Sequence, residues 1–257
     1  MLSVRVMPCL LKRHGALVKT VKFKNFTYIG DPVNTIQIFN NLEVDELVLL
    51  DIMATKENQK PDFTLIKNIA SECFMPLAYG GGIRDISDMK KIFNLGVEKI
   101  VICSYAVENP LFIKKASEIF GSQSVVVSID VKKNFWGKYE VFSHSGTKST
   151  KIDPALFAKK MGEIGAGEIF LNSIDRDGTF QGYDLDLIKK TTAVINIPLI
   201  ACGGAGEYRD LNKPIKAGAQ AVAAGSLFVY QRKNTESVLI NFPTSQELNS
   251  ILGEKRC

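Results

Sequence analysis

Residues 76–82 read PLAYGGG and residues 198–204 read PLIACGG. Each is a short apolar run that ends in a glycine turn, and the two stand about 120 residues apart. Runs of this length bounded by turn residues read as buried strands. Six further runs rich in Val, Ile and Leu have the same form. They begin near Val4 (VRVMPCL), Glu46 (ELVLLDI), Lys99 (KIVICS), Ser124 (SVVVSID), Glu168 (EIFLNSID) and Ala221 (AVAAGSL). The intervals between the eight starts are about 42, 30, 23, 25, 44, 30 and 23 residues, so the series 42-30-23 returns as 44-30-23. The second four strands echo the first four, which is the signature of two related halves.

Helical patterns lie between the strands, at 34–42, 63–72, 86–95, 109–120, 153–164 and 184–194. In each, apolar residues recur at three- and four-residue spacing and give one buried stripe. Asp153-Pro154 reads as an N-cap followed by Pro at the first helical position, and Gly96 and Gly218 suit left-handed caps. Strands alternating with helices predict parallel βαβ units. Eight units predict a single (β/α)8 barrel of class α/β, with an open doubly wound sheet as the alternative. The barrel core is expected over about 3–230, with a helical tail at 231–257, in one domain covering 1–257.

Composition bounds the function. With 46% hydrophobic and 23% charged residues, neither a disordered nor a collagen-like chain is compatible. Cys9, Cys73, Cys103, Cys202 and Cys257 are odd in number and widely spaced, which argues against a disulfide framework or a structural zinc site and suits a reducing cytoplasm. MLSVRVMPCLLKRHG lacks the features of a signal peptide, and no apolar run approaches the ~18 residues of a membrane span. The net charge of +5 is scattered. It suits an anionic small molecule and does not form a nucleic-acid footprint.

In a barrel of this kind the active site is expected where the strands end at their C-terminal side. The third strand ends in Gly80-Gly81-Gly82 and the seventh in Gly203-Gly204; Ser104 and Ser226 follow the fourth and eighth. Glycine lets backbone N–H groups approach an anion, and a following helix adds a favourable dipole. One such turn would often only reverse the chain. Two in matching places predict two phosphate cradles and a substrate with phosphate at both ends. Asp51, Asp130, Asp175 and Asp177 are the acidic candidates. Asp130 follows VVVSI at the barrel rim, where a carboxylate either acts as general acid or base or holds the next loop's amides; Asp51 faces the same choice. Asp177-Gly178 reads as an anion-facing turn, and Lys19 as a point charge for a phosphate or a solvated lysine. His144 is expected to be exposed, Cys9, Cys103 and Cys202 to be small buried hydrophobes, and Trp136 to anchor a hairpin. Arg5, Glu46, Lys99 and Glu168 sit near four strand starts. They would ring the opposite mouth, as a stabilising set of ion pairs or as a gate to an axial passage.

The segments DELVLLDI, GGGIRD, AVENP, FGSQSVVV, SID, GAGEI, SIDRDGT, GYD and CGGAG together resemble the cyclase subunits of imidazole glycerol phosphate synthase, from about Ser3 to Val229. The resemblance implies a two-half barrel without metal or redox cofactor. Ammonia from a glutaminase docked at the N-terminal face would cross the barrel and attack a doubly phosphorylated ribulosyl-carboxamide substrate, in a lyase reaction of histidine biosynthesis. Residue by residue, it implies a catalytic role for Asp130 and one phosphate site at Gly82 and Ser104, where Ser stands for the usual Thr. It implies the other site at Asp177, Gly178, Gly204, Gly225 and Ser226, with Lys19 near the substrate and Arg5, Glu46, Lys99 and Glu168 as the ammonia gate.

The chain also departs from the pattern. Leu11 stands where the family carries a second catalytic aspartate, Cys103 replaces a usual asparagine and Ala78 a usual threonine. Asn172 and Cys202 replace small hydroxyl residues. Leucine neither donates nor accepts a proton, so half of an acid–base pair is missing. This pattern is similar to that of a paralogous group from surface-polysaccharide clusters, in which barrel and glutaminase supply ammonia to a separate sugar amidotransferase.

Overall fold

The structure, a computed structural model, describes residues 4–231 and 234–253; residues 1–3, 232–233 and 254–257, with Cys257 among them, lie outside the described part. Eight strands form the predicted closed barrel: β1 (Arg5–Arg13), β2 (Leu47–Asp51), β3 (Leu77–Gly80), β4 (Lys99–Ile102), β5 (Val125–Lys133), β6 (Glu168–Ser173), β7 (Leu199–Cys202) and β8 (Ala221–Ala224). Each pairs in parallel with the next, and β8 pairs back onto β1 with Arg5 opposite Ala221. The ring leaves no open edge, so the open-sheet alternative falls.

Helices α1 (Pro32–Asn41), α2 (Phe63–Glu72), α3 (Ile86–Asn94), α4 (Leu111–Phe120), α5 (Pro154–Glu163), α6 (Leu185–Thr192) and the short α7 (Asn212–Lys216) surround the barrel. Five of them start on an aspartate. Asp31, Asp62, Asp85, Asp153 and Asp184 each accept a hydrogen bond from a backbone N–H of the first turn, which satisfies a donor that the helix itself cannot. Gly96 and Gly218 take the expected left-handed conformation after their helices, at φ +100° and +104°.

The apolar side chains divide into two clusters. Outward-facing strand residues such as Leu49, Tyr79 and Ile100 pack with the helix stripes, among them Phe39, Ile69 and Ile92. Inward-facing residues, including Met7, Val48, Val101, Val126, Phe170 and Ile200, fill the barrel itself. Burying Phe170 completely at its centre contributes about 2–3 kcal/mol. Side chains alternate along a strand, so the inward set is every second residue. Below the plug that set is Arg5, Glu46, Lys99 and Glu168; above it the set includes Leu11, Asp130 and Asn172. One periodicity fills the core and supplies both functional ends.

The structure adds to the expectations in two places and corrects two of them, the tail and Trp136. The segment after β1 is an antiparallel hairpin, Ala16–Val21 with Lys24–Gly30, laid beside β1. The helix expected at 109–120 is present as α4, and a further short helix, Ser104–Glu108, precedes it, ended before Pro110, which has no N–H to continue it. The tail holds a helix, α8 (Ser245–Leu252), but begins with paired strands at Tyr230–Gln231 and Asn234–Val238. Trp136 sits at the tip of the hairpin formed by β5 and Tyr139–Ser143, but at 81% exposure its ring meets Phe135 at the tip and not the core.

Candidate functional site

A cavity of about 1260 Å³, open to solvent, lies at the C-terminal end of the barrel. The nine residues that the family resemblance assigns to this end all line it: Lys19, Gly82, Ser104, Asp130, Asp177, Gly178, Gly204, Gly225 and Ser226. The two glycine turns follow β3 and β7, and the two serines open short helices after β4 and β8. The cradles therefore face each other across the mouth. Tight packing explains the glycines. A Cβ on Gly82 would lie 2.6 Å from the Gln59 carbonyl oxygen, and one on Gly204 2.3 Å from that of Gly182. Either turn would be pushed out of place.

Asp130 stands on the cavity floor, 8% exposed. The Asn172 Nδ2 donates to Oδ1 at 3.4 Å, and the Cys103 Sγ lies 3.5 Å from Oδ2. No cation stands within ion-pair distance among the described residues. Burial pushes its pKa up to about 6, the two hydrogen bonds hold it down, and the charge of Asp177 adds to the rise. A carboxyl in that range binds and releases a proton near neutral pH, which is what an acid–base group needs. The other candidate carboxylates have partners. Asp51 pairs with Lys12 at 2.8 Å and accepts from the N–H groups of Met53 and Ala54, so it holds the loop after β2. Asp175 accepts from the Lys133 N–H at 2.8 Å and lies outside the cavity lining.

Asp177 fastens the hairpin after β1 over the mouth. Its Oδ2 accepts from Thr20 Oγ1 at 2.6 Å and from the Phe23 N–H at 3.2 Å, while its carbonyl accepts from the Lys22 N–H at 2.9 Å. Burial raises its pKa against these bonds. The hairpin brings Lys19 down to the cavity, where Nζ donates to the Cys9 carbonyl and lies beside Gly225. It also adds Phe23 and Phe26 to the lining, with Lys56 and Arg84 near the first cradle. Sequence reading did not single these four out, although Arg84 belongs to the quoted GGGIRD.

Two further expectations change here. His144 is not simply exposed, because the loop after β5 folds back: its N–H donates to Ser104 Oγ at 2.8 Å, and Ser145 Oγ donates to the Ile52 carbonyl at 2.7 Å. Cys9, Cys103 and Cys202 line the cavity rather than only packing. Burial pushes the Cys103 thiol well up, and Asp130 adds to it, so this sulfur stays protonated. Leu11 also lines the cavity, on β1, diametrically across the eight-stranded ring from β5 and Asp130.

At the opposite end, the four charged residues encircle the axis. Arg5 bonds Glu46 and Glu168 at 2.6 Å each, and Lys99 reaches the same two carboxylates at 2.9 and 3.3 Å. Charges alternate around the ring, which compensates their partial burial. Between the ring and the cavity floor the interior is apolar. Among the described residues, no helix is long and apolar enough to cross a membrane.

Comparison with known proteins agrees with this geometry. The model of a family described as "Histidine biosynthesis protein" matches residues 5–235. A Pseudomonas aeruginosa protein provisionally named imidazole glycerol phosphate synthase subunit hisF2 is 50% identical, over 97% of this chain and 99% of its own length. A Vibrio vulnificus protein provisionally named as subunit hisF3 is 48% identical, over 98% and 97%. The imidazole glycerol phosphate synthase subunit HisF of Endomicrobium trichonymphae is 44% identical, over 93% and 92%.

Proposed function

The chain belongs to the histidine biosynthesis protein family, and from that premise we propose that it is the cyclase-type, lyase subunit of a cytoplasmic glutamine-dependent synthase. A glutaminase docks on the N-terminal face, and its ammonia enters through the ring of Arg5, Glu46, Lys99 and Glu168. It passes along the apolar interior, which favours the neutral molecule over ammonium. At the other end the two glycine cradles hold the phosphates of a ribulosyl-aminoimidazole-carboxamide substrate, and Asp130 takes the proton from the attacking nitrogen. Cyclisation and cleavage then give imidazole glycerol phosphate. The observation that carries this reading is the axial order: charged ring, apolar core, and the buried Asp130 carboxylate on the floor between two facing cradles.

One observation favours a second reading. Leu11 occupies the position across from Asp130, and Asp51 and Asp177 are engaged elsewhere, so the floor offers one acid–base group instead of two. In that reading the barrel activates its glutaminase and passes ammonia on for sugar amidation in surface-polysaccharide synthesis, with cyclase chemistry weakened or lost.

Purified chain and glutaminase, given the doubly phosphorylated substrate, decide between them. The first reading expects imidazole glycerol phosphate formation that Asp130→Asn abolishes. The second expects glutaminase activation without cyclisation, and a gain of cyclisation in Leu11→Asp. A chain that neither turns over the substrate nor changes glutaminase activity refutes both.

A further inference from the structure

Phe135 and Trp136 are 94% and 81% exposed at the tip of the hairpin that extends β5. The tip is built, not loose. Asn134 Oδ1 accepts from the N–H groups of Trp136 and Lys138 at 2.9 and 3.0 Å, and the Gly137 N–H donates to the Asn134 carbonyl. The rings stack edge to face, with centroids 5.5 Å apart, and form one compact apolar knob. The hairpin's own segment is basic, while Asp175 and Asp184 behind it accept from the Lys133 N–H and the Tyr139 hydroxyl at 2.8 Å each. Residues 131–151 hold five lysines against one glutamate. That glutamate, Glu140, is bonded to Asn134 and Ser149. Lys133 and Lys190 lie over the Tyr139 ring at 4.9 and 5.4 Å, just behind the tip. None of the five lysines stands within ion-pair distance of a carboxylate among the described residues.

We propose that this knob anchors a docking surface for a separate protein that presents an acidic rim around an apolar pocket and sits over the C-terminal mouth of the barrel. Aromatic side chains ordered before contact lose little entropy on burial and serve as interface anchors, and unpaired lysines around them steer an acidic partner. A second copy of this chain is a poor occupant, because at net +5 it would meet like charge. The position matters for function. The outgoing strand of the hairpin begins with Asp130 on the cavity floor, and the returning strand runs into Ser143–Ser145, which bonds across the mouth to Ser104 and Ile52. A protein seated on the tip covers the exit opposite the charged ring, whichever substrate the cavity takes.

The test places photoreactive benzoylphenylalanine at position 135 of the full-length chain in its source cells. The crosslinked protein is identified, purified and titrated calorimetrically against wild type, Trp136→Ser and Lys133→Gln/Lys138→Gln. The proposal expects one acidic protein whose affinity falls about tenfold or more in either variant, and again between about 0.05 and 0.3 M salt. Inorganic phosphate should bind the cavity of both variants as it does in wild type. Affinity indifferent to both variants, the absence of a discrete adduct, an adduct with a second copy, or tip-dependent binding to phosphatidylcholine–phosphatidylglycerol vesicles in place of a protein would each overturn it.

Discussion

Replacing Asp130 by asparagine should stabilise the fold, and should do so only above a defined pH. Burial lifts this carboxyl from 3.8 to about 6. Between those values the folded chain keeps a proton that the unfolded chain has released, so rising pH favours unfolding. The side chain is 8% exposed, so little solvent screening reduces the effect. A shift of about two units corresponds to roughly 3 kcal/mol, fully present above pH ~6 and absent below pH ~4. Asparagine has the same shape and no charge to bury. At pH about 8 the variant should therefore melt roughly 6–12 °C above wild type, and near pH 4 the two should coincide. Calorimetric melting of both proteins across that range reads the difference directly, because all other titrating groups are common to the two. A difference that does not change with pH, or a variant less stable at pH 8, would refute the account of Asp130 as a buried carboxyl without a cation. The stability gained is the cost of keeping a proton-transfer group at the site, and the same variant should lose about 10²–10⁴-fold in any cyclisation rate.

Three other variants probe separate parts of the barrel. Arg5→Met removes both 2.6 Å ion pairs and leaves Glu46, 3% exposed, with Lys99 alone; a loss of about 2–3 kcal/mol should appear as a melting temperature lower by roughly 5–10 °C. Gly225→Ala strains no backbone, yet its Cβ would stand 2.0 Å from Lys19 Nζ. The displaced lysine should weaken phosphate binding about tenfold by calorimetry with little change in melting. Thr20→Val keeps the side-chain shape but removes the 2.6 Å bond to Asp177, so trypsin should cut after Lys22 or Lys24 several-fold faster than in wild type.

Much of this architecture was legible because it rests on periodicity. Eight apolar runs at repeating intervals fix the ring, and alternation from Arg5 or Glu168 upward decides which side chains face the axis. Facing glycine turns follow from the same arithmetic. The hairpin after β1 was not legible, and its turn shows why. Lys22 and Phe23 adopt positive φ without being glycine or asparagine, so only Asn25 beside them signals a turn in the sequence. What offsets their strain is Asp177, whose carboxylate and carbonyl take up Thr20, Phe23 and Lys22 from more than 150 residues away. The return of His144 and Ser145 over the mouth is similar: both have positive φ, and both are held by residues of other loops. Contacts between loops set these segments, and no window of sequence contains them.

The same comparison sharpens what the cavity can do. Three carboxylates reach its lining, but Asp51 is neutralised by Lys12 and Asp177 is bonded to the hairpin that covers the mouth. Both are committed to holding a loop in place. Asp130 holds no loop, and the groups that touch it, an amide and a protonated thiol, are donors that favour its charged form. A reaction that needs one proton removed from nitrogen fits this floor. One that needs a second carboxylate to return a proton from the far side meets Leu11 there. The charged ring, by contrast, is complete, with each carboxylate bonded to both cations. The ring end therefore carries two paired cations and two paired carboxylates, while the cavity floor carries Asp130 with Leu11 across from it. Introducing an aspartate at position 11 is the change that separates a cyclase working with one proton carrier from a conduit whose ammonia is used elsewhere.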